Sequence, residues 1–205
     1  MAIYILPGMG AAAAMYGAPF RKLTGIHYLD WPSYREERTI HDLALRILQE
    51  RPMGRSDTVG GSSLGGIVAA EIARIVPVEK IILIGSTLMP ANISPILKKL
   101  SGFADQAPVD LMKTFAGAAC ALYENQLLQM FSMSNSLFMK TMSQAVFEWT
   151  GNPNPPCPVA QIHGAQDRVI YPPETGATII PDGGHLIALT HAREVAAFVE
   201  KHTHT

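Results

Sequence analysis

Residues 58–76 run from a short apolar stretch into an Ala-rich helical one through GGSSLGG at 60–66. No other segment constrains the fold as strongly. A chain that turns from strand to helix through this many glycines brings backbone close to backbone, where a Cβ has no room. Gly61, Ser63 and Gly65 satisfy G-x-S-x-G, while Ser62 does not fit the glycine spacing. Between a strand and a helix, such a turn holds its serine at strained backbone angles and projects the hydroxyl above the strand ends. The N-terminus of the following helix favours negative charge there. Taken alone, the pattern also reads as a tight turn that happens to contain serines.

The rest of the chain supplies the setting. Short apolar runs at Ile3–Leu6, His27–Trp31, Thr58–Gly61, Lys80–Gly85, Pro158–His163 and Thr178–Pro181 are bounded by Gly, Pro and polar residues and read as strands. KIILIG at 80–85 lacks alternation, which fits burial on both faces. Helical spacing occurs at Thr39–Glu50, Leu64–Val76 and Arg193–His202, with Thr39 as N-cap and Asp42 in the first turn. This alternation predicts an α/β fold with a mainly parallel sheet of about six strands and helices on both faces. From about 89 to 150 the rhythm breaks. The segment reads as helices, including Pro108–Tyr123 and Asn125–Phe147 with a bend around Ser132–Ser136. We take it as a helical cap inserted into a single domain spanning 1–205. Asn152–Pro158 is the stiff connector back to the sheet.

Composition narrows the function classes. Hydrophobic residues are 48% of the 205 and charged residues 16%, enough for a packed core. A net charge of −1 marks neither a nucleic-acid binder nor a binder of acidic membranes. No stretch approaches 18 apolar residues, and the start lacks the basic residues and long apolar run of a leader, so a cytoplasmic protein is expected. Cys120 and Cys157 are expected as two reduced thiols.

A serine hydroxyl needs a base to act as a nucleophile. PDGGHL at 181–186 offers His185, on a loop before the last helix. His27, His41, His191, His202 and His204 lie on a strand, on or near helices, or in the tail. HGAQD at 163–167 offers Asp167 just beyond a strand, in the chain order Ser, Asp, His. Its role would be to accept the imidazole N–H. Asp182 is the competitor, three residues from His185. An oxyanion needs backbone donors. Leu64 N–H directly follows the serine, and LPGMG at 6–10 offers Met9 first and Gly8 second.

With LPGMG, GSSLG, HGAQD and GGHL in place, the sequence resembles the α/β-hydrolase superfamily, in particular its small single-domain esterase-like members. The resemblance covers nearly the whole chain. It implies a three-layer α/β-hydrolase fold with a helical cap, and ester hydrolysis without a metal or other cofactor. The motifs carry over to Gly8, Met9, Ser63, Leu64, Asp167 and His185. The sequence departs from the pattern in places: Leu6-Pro7 stands where many relatives have His-Gly, and the proline after the acid falls at Pro172.

The expected function is a serine hydrolase that cleaves a carboxylic ester or thioester of a small, largely apolar molecule through an acyl-enzyme. Met112, Phe115, Met130, Phe131, Met133, Phe138 and Met142 would line the substrate pocket, although the same residues also suit plain helix packing. One rival is a lyase of the cyanohydrin type, for which Lys98, Lys99, Lys113 or Lys140 would supply a cation. The other is a small-ligand binding protein without catalysis. Sequence alone leaves the oligomeric state open.

Overall fold

The computed structural model describes residues 1–95 and 135–203. Within them the short apolar runs become β1 (Ile3–Leu6), β2 (Ile26–Tyr28), β3 (Thr58–Ser62), β4 (Lys80–Ile84), β5 (Val159–Gly164) and β6 (Thr178–Ile180). They pair in the order β2-β1-β3-β4-β5-β6, and every neighbouring pair is parallel. The described helices are α1 (Ala18–Arg21), α2 (Ile40–Glu50), α3 (Leu64–Ile75), α4 (Ser136–Glu148), α5 (Ile187–Thr190) and α6 (Ala192–Thr203).

Successive strand residues face opposite sides, and β4 shows the layering this produces. Ile81 and Leu83 join one apolar cluster with Leu43 and Ile47 of α2, Ile67 and Ile72 of α3, and Phe138 and Met142 of α4. Ile82 and Ile84 join a second cluster with Phe20 of α1, Ile187 of α5, and Val195 and Phe198 of α6. Helix, sheet and helix form three layers with a core on each side of the sheet, as the resemblance implies.

Local chemistry fixes the element ends. Asp42 N–H donates to Thr39 Oγ1 at 3.0 Å while Thr39 N–H donates to Asp42 Oδ2 at 3.0 Å, a reciprocal cap at the start of α2. The second strand stops at Tyr28 rather than at the expected Trp31. Leu29 N–H still bonds Ile5 C=O, but Asp30 turns aside to accept Ala13 N–H at 2.7 Å. The short helices α1 and α5 lack enough turns to leave a period in the sequence. Among the described residues no helix is long and apolar enough to cross a membrane. Cys157 is a free, half-buried thiol, and Cys120 lies outside the described residues.

Of the expected cap, the described part holds a 3-10 turn at Pro90–Asn92 and α4. Helix α4 begins at Ser136, at the expected bend, where Asn135 Oδ1 accepts Phe138 N–H at 3.0 Å. The helix proposed at Pro108–Tyr123 lies outside the described residues. Where α4 ends, a polar clasp fixes the chain to α3. Glu71, in the otherwise apolar stretch Leu64–Ala73, accepts Trp149 Nε1–H at 2.8 Å and Arg74 Nη1–H at 3.3 Å, with His41 Nδ1 at 2.8 Å. Arg74 also reaches Thr150 Oγ1 and Gly151 C=O, and Asn152 Nδ2–H donates to Ala70 C=O. Glu71→Ala leaves the Trp149 indole without its acceptor. Because His41 and Arg74 are half exposed, the expected loss is about 2 kcal/mol of unfolding free energy, measured by urea titration.

Candidate active site

The C-terminal ends of β1, β3, β4, β5 and β6 lie along one edge of the sheet, where open α/β sheets place their ligands. The sharpest feature there is the turn from β3 into α3. Ser63 has φ 51° and ψ −119°, a conformation that non-glycine residues rarely adopt. Its neighbours explain how the turn fits. A Cβ on Gly61 would lie 2.5 Å from Gly65 C, and one on Gly65 would lie 2.5 Å from both Leu6 O and Pro7 O. The turn thus packs directly onto the backbone leaving β1. Further bonds hold the strained residue. Ser63 N–H donates to Ile84 C=O at 3.0 Å, and Ser86 Oγ–H donates to Ser63 C=O at 2.7 Å.

Gly65→Ala must push the Leu6–Pro7 backbone away. The expected cost is about 3 kcal/mol of stability, at the upper end for overpacking, read by urea titration.

From this turn the Ser63 hydroxyl meets His185 Nε2 at 2.9 Å, and His185 Nδ1 lies 2.8 Å from Asp167 Oδ2. An ionised carboxylate only accepts, so Nδ1 carries the ring proton and Nε2 is the bare nitrogen facing the hydroxyl. Asp167 is buried, with no exposure of its side chain. Its Oδ1 accepts Val169 N–H at 2.8 Å and Ile170 N–H at 3.0 Å. Burial alone would raise the carboxyl's pKa. The electrostatic attraction of the His185 imidazole, the hydrogen bonds from His163 and His185 and the Ile170 amide outweigh burial and hold it below the usual carboxylate range. The competitor Asp182 is turned away, with its side chain 80% exposed and Oδ1 3.3 Å from His191 Nε2.

The loop after β1 is held from three sides. Tyr16 Oη–H donates to Leu6 C=O at 2.6 Å and lies 3.0 Å from Ser62 Oγ. Trp31 Nε1–H donates to Gly8 C=O at 3.0 Å. Gly8 N–H is directed at Met15 Sδ, 3.4 Å away, so it is engaged within the loop. Met9 N–H has no acceptor among the described residues. Leu64 N–H opens α3 and belongs to the first-turn amides that lack an intrahelical acceptor.

The proposed pocket residues divide. Phe138 packs at 5.5 Å between ring centroids against Trp31, and at 5.9 Å against Tyr34. Met142 sits fully buried in the cluster between α4 and the sheet. Met112, Phe115, Met130, Phe131 and Met133 lie outside the described residues, as do Lys98, Lys99 and Lys113. Lys140 sits half-buried on α4.

Sequence reasoning missed Tyr16, Trp31, Ser86 and His163. The first three come from other elements, and no spacing connects them to the site. His163 stood in HGAQD itself and was read only as the end of a strand, yet its Nε2 lies 3.0 Å from Asp167 Oδ2. Its inward position at the C-terminal end of a strand, four residues before the acid, was the available signal.

A model of the alpha/beta hydrolase family matches residues 3–198. No curated protein matches the sequence. Among solved structures, a thermophilic esterase from Thermogutta terrifontis is 18% identical with a TM-score of 0.74, covering 98% of this chain and 88% of that one. A hydrolase from Oleispira antarctica is 17% identical with a TM-score of 0.78, covering 98% and 90%. A type II thioesterase of the yersiniabactin biosynthetic pathway is 18% identical with a TM-score of 0.67, covering 98% and 91%. At such identities these likenesses speak for the fold alone.

Proposed function

The chain belongs to the alpha/beta hydrolase family, and from that premise we propose that it is a serine hydrolase cleaving a carboxylic ester or thioester of a small, largely apolar substrate. One observation carries the reading: the continuous line from Ser63 Oγ through His185 to Asp167, with contacts of 2.9 and 2.8 Å. The two histidine contacts join residues 122 and 18 positions apart in sequence, and an imidazole held between a hydroxyl and a buried carboxylate is the arrangement that activates a serine.

In this mechanism Ser63 Oγ attacks the acyl carbonyl as His185 Nε2 takes the hydroxyl proton. Asp167 holds the imidazole with Nδ1–H towards itself and stabilises the imidazolium that forms. The N–H groups of Leu64 and Met9 hold the developing oxyanion. Gly8, the second choice for that donor, is disfavoured because its N–H is engaged with Met15 Sδ. Nε2–H then protonates the departing alcohol or thiol. Water attacks the acyl-enzyme with His185 again as base, and the acid leaves. We assign residues 89–150 the role of a cap. Helix α4 would form its inner wall, with Phe138 leaning on Trp31 beside the Gly8 loop.

The esterase and thioesterase among the similar folds agree with either leaving group. The test is turnover of p-nitrophenyl esters from acetate to decanoate beside acyl thioesters of matching length. Saturable release of acid, greatest for short or medium chains, is expected. No turnover of either series by folded protein would overturn the reading.

A further inference from the structure

We propose that His163 is a positioning residue for this site, tying the Asp167 carboxylate to the sheet; this rests on the acyl-transfer reading above. A carboxylate offers about four lone-pair sites, and all four on Asp167 are filled. Val169 and Ile170 N–H occupy Oδ1, and His185 and His163 occupy Oδ2. These donors are not equivalent. Val169 and Ile170 belong to the same turn as Asp167 and move with it. His185 is the group to be oriented and sits on a loop. Only His163 belongs to a strand, β5, and it is completely buried.

The second contact of His163 makes the same tie at the far end of the turn. Its Nε2 also lies 2.8 Å from Ile170 C=O. Both partners of Nε2 are acceptors, so the ring proton sits on Nε2 and is shared between carboxylate and carbonyl. Nδ1 is buried with no hydrogen-bond partner among the described residues. A buried nitrogen left as a bare lone pair calls for an explanation, and the two contacts that Nε2 makes supply one. His163 has no contact with the Ser63 hydroxyl, so it cannot replace His185 as base. It clamps the turn 167–170 from beneath, and through the carboxylate it fixes the angle at which Oδ2 meets His185 Nδ1.

The test uses the full chain carrying His163→Leu, which removes the donor, and His163→Gln, whose amide N–H can take the place of Nε2–H. Three readouts are taken: circular dichroism, kcat and KM on p-nitrophenyl butyrate, and the downfield proton spectrum, where the His185 Nδ1–H bonded to Asp167 resonates. His163→Leu is expected to lower kcat about tenfold, the share of one hydrogen bond to a charged group, with KM unchanged. The downfield resonance should move or vanish in it, and His163→Gln should restore both. If His163→Leu does not fold, His163→Asn, whose amide is too short to reach Oδ2, takes its place with the same expectation. A folded variant without the donor that keeps wild-type kcat and the wild-type downfield spectrum would overturn the assignment. If the wild type itself hydrolyses no ester and takes no fluorophosphonate, the hydrolase reading fails, while the downfield spectrum still decides whether His163 positions Asp167.

Discussion

On the proposed mechanism, Ser63→Ala is expected to lower kcat on p-nitrophenyl esters by about 10⁶, to the residue of activity that the proposed oxyanion donors and binding would leave. The size follows from the chain of contacts. Removing Oγ deletes the proposed attacking atom, the partner that lies 2.9 Å from His185 Nε2. The proposed acyl-enzyme route would then be closed, and His185 would be left to act only on water. The effect belongs to chemistry and not to folding. Ser63 is held through its backbone, by Ile84 C=O and by Ser86. Those bonds survive in the alanine variant, so its circular dichroism and urea midpoint should match the wild type. An alanine variant that kept more than a hundredth of the wild-type rate would assign the nucleophile elsewhere.

On the same mechanism, Asp167→Asn is expected to lower kcat by about 10⁴ with little change in KM. The amide keeps the size of the carboxyl, but it presents an N–H₂ group or an uncharged carbonyl to His185 Nδ1. Either the imidazole adopts the wrong tautomer, with its proton towards Ser63, or it gains an acceptor too weak to support the imidazolium. Stability gives an independent check with a definite sign. The folded carboxyl of Asp167 titrates below its unfolded value of about 3.9, because the attraction of His185 and the hydrogen bonds from His163, His185 and the Ile170 amide outweigh burial. It therefore contributes stability that is fully present above that unfolded value. The contribution is lost as pH falls from about 4 through the lower folded value. Urea midpoints measured from pH 6 down to pH 2 should fall less steeply in the asparagine variant than in the wild type. Parallel curves would mean that Asp167 is not held as an ion in the folded protein.

The layered sheet was legible because its strands are short, apolar and punctuated. Lys80–Ile84 has no polar residue past its first position, and the structure buries the rest of it on both faces. Gly61 and Gly65 were legible as a pair since each approaches foreign backbone, which leaves a mark in composition. The order Ser63, Asp167, His185 was readable because each follows a strand, and parallel strands bring their C-terminal ends to one edge. What supports those three residues was not readable. Ser86 reaches the carbonyl of Ser63 from 23 residues away, and Tyr16 and Trp31 hold the Gly8 loop from outside any motif. Such contacts depend on the folded path and leave no period or spacing. His163 lies between the two cases. It sits inside a motif, but strand alternation suggests only that it faces inward, and nothing in the sequence says that the inward side holds a carboxylate.

The central claim is that Ser63 is an activated nucleophile, and intact-mass labelling with a fluorophosphonate tests it most directly. The wild type should gain a single adduct, and Ser63→Ala should gain none while keeping its fold. A folded wild type that takes up no adduct, or an alanine variant that labels as fast as the wild type, would contradict it and leave a binding protein built on a hydrolase fold or a nucleophile at another position.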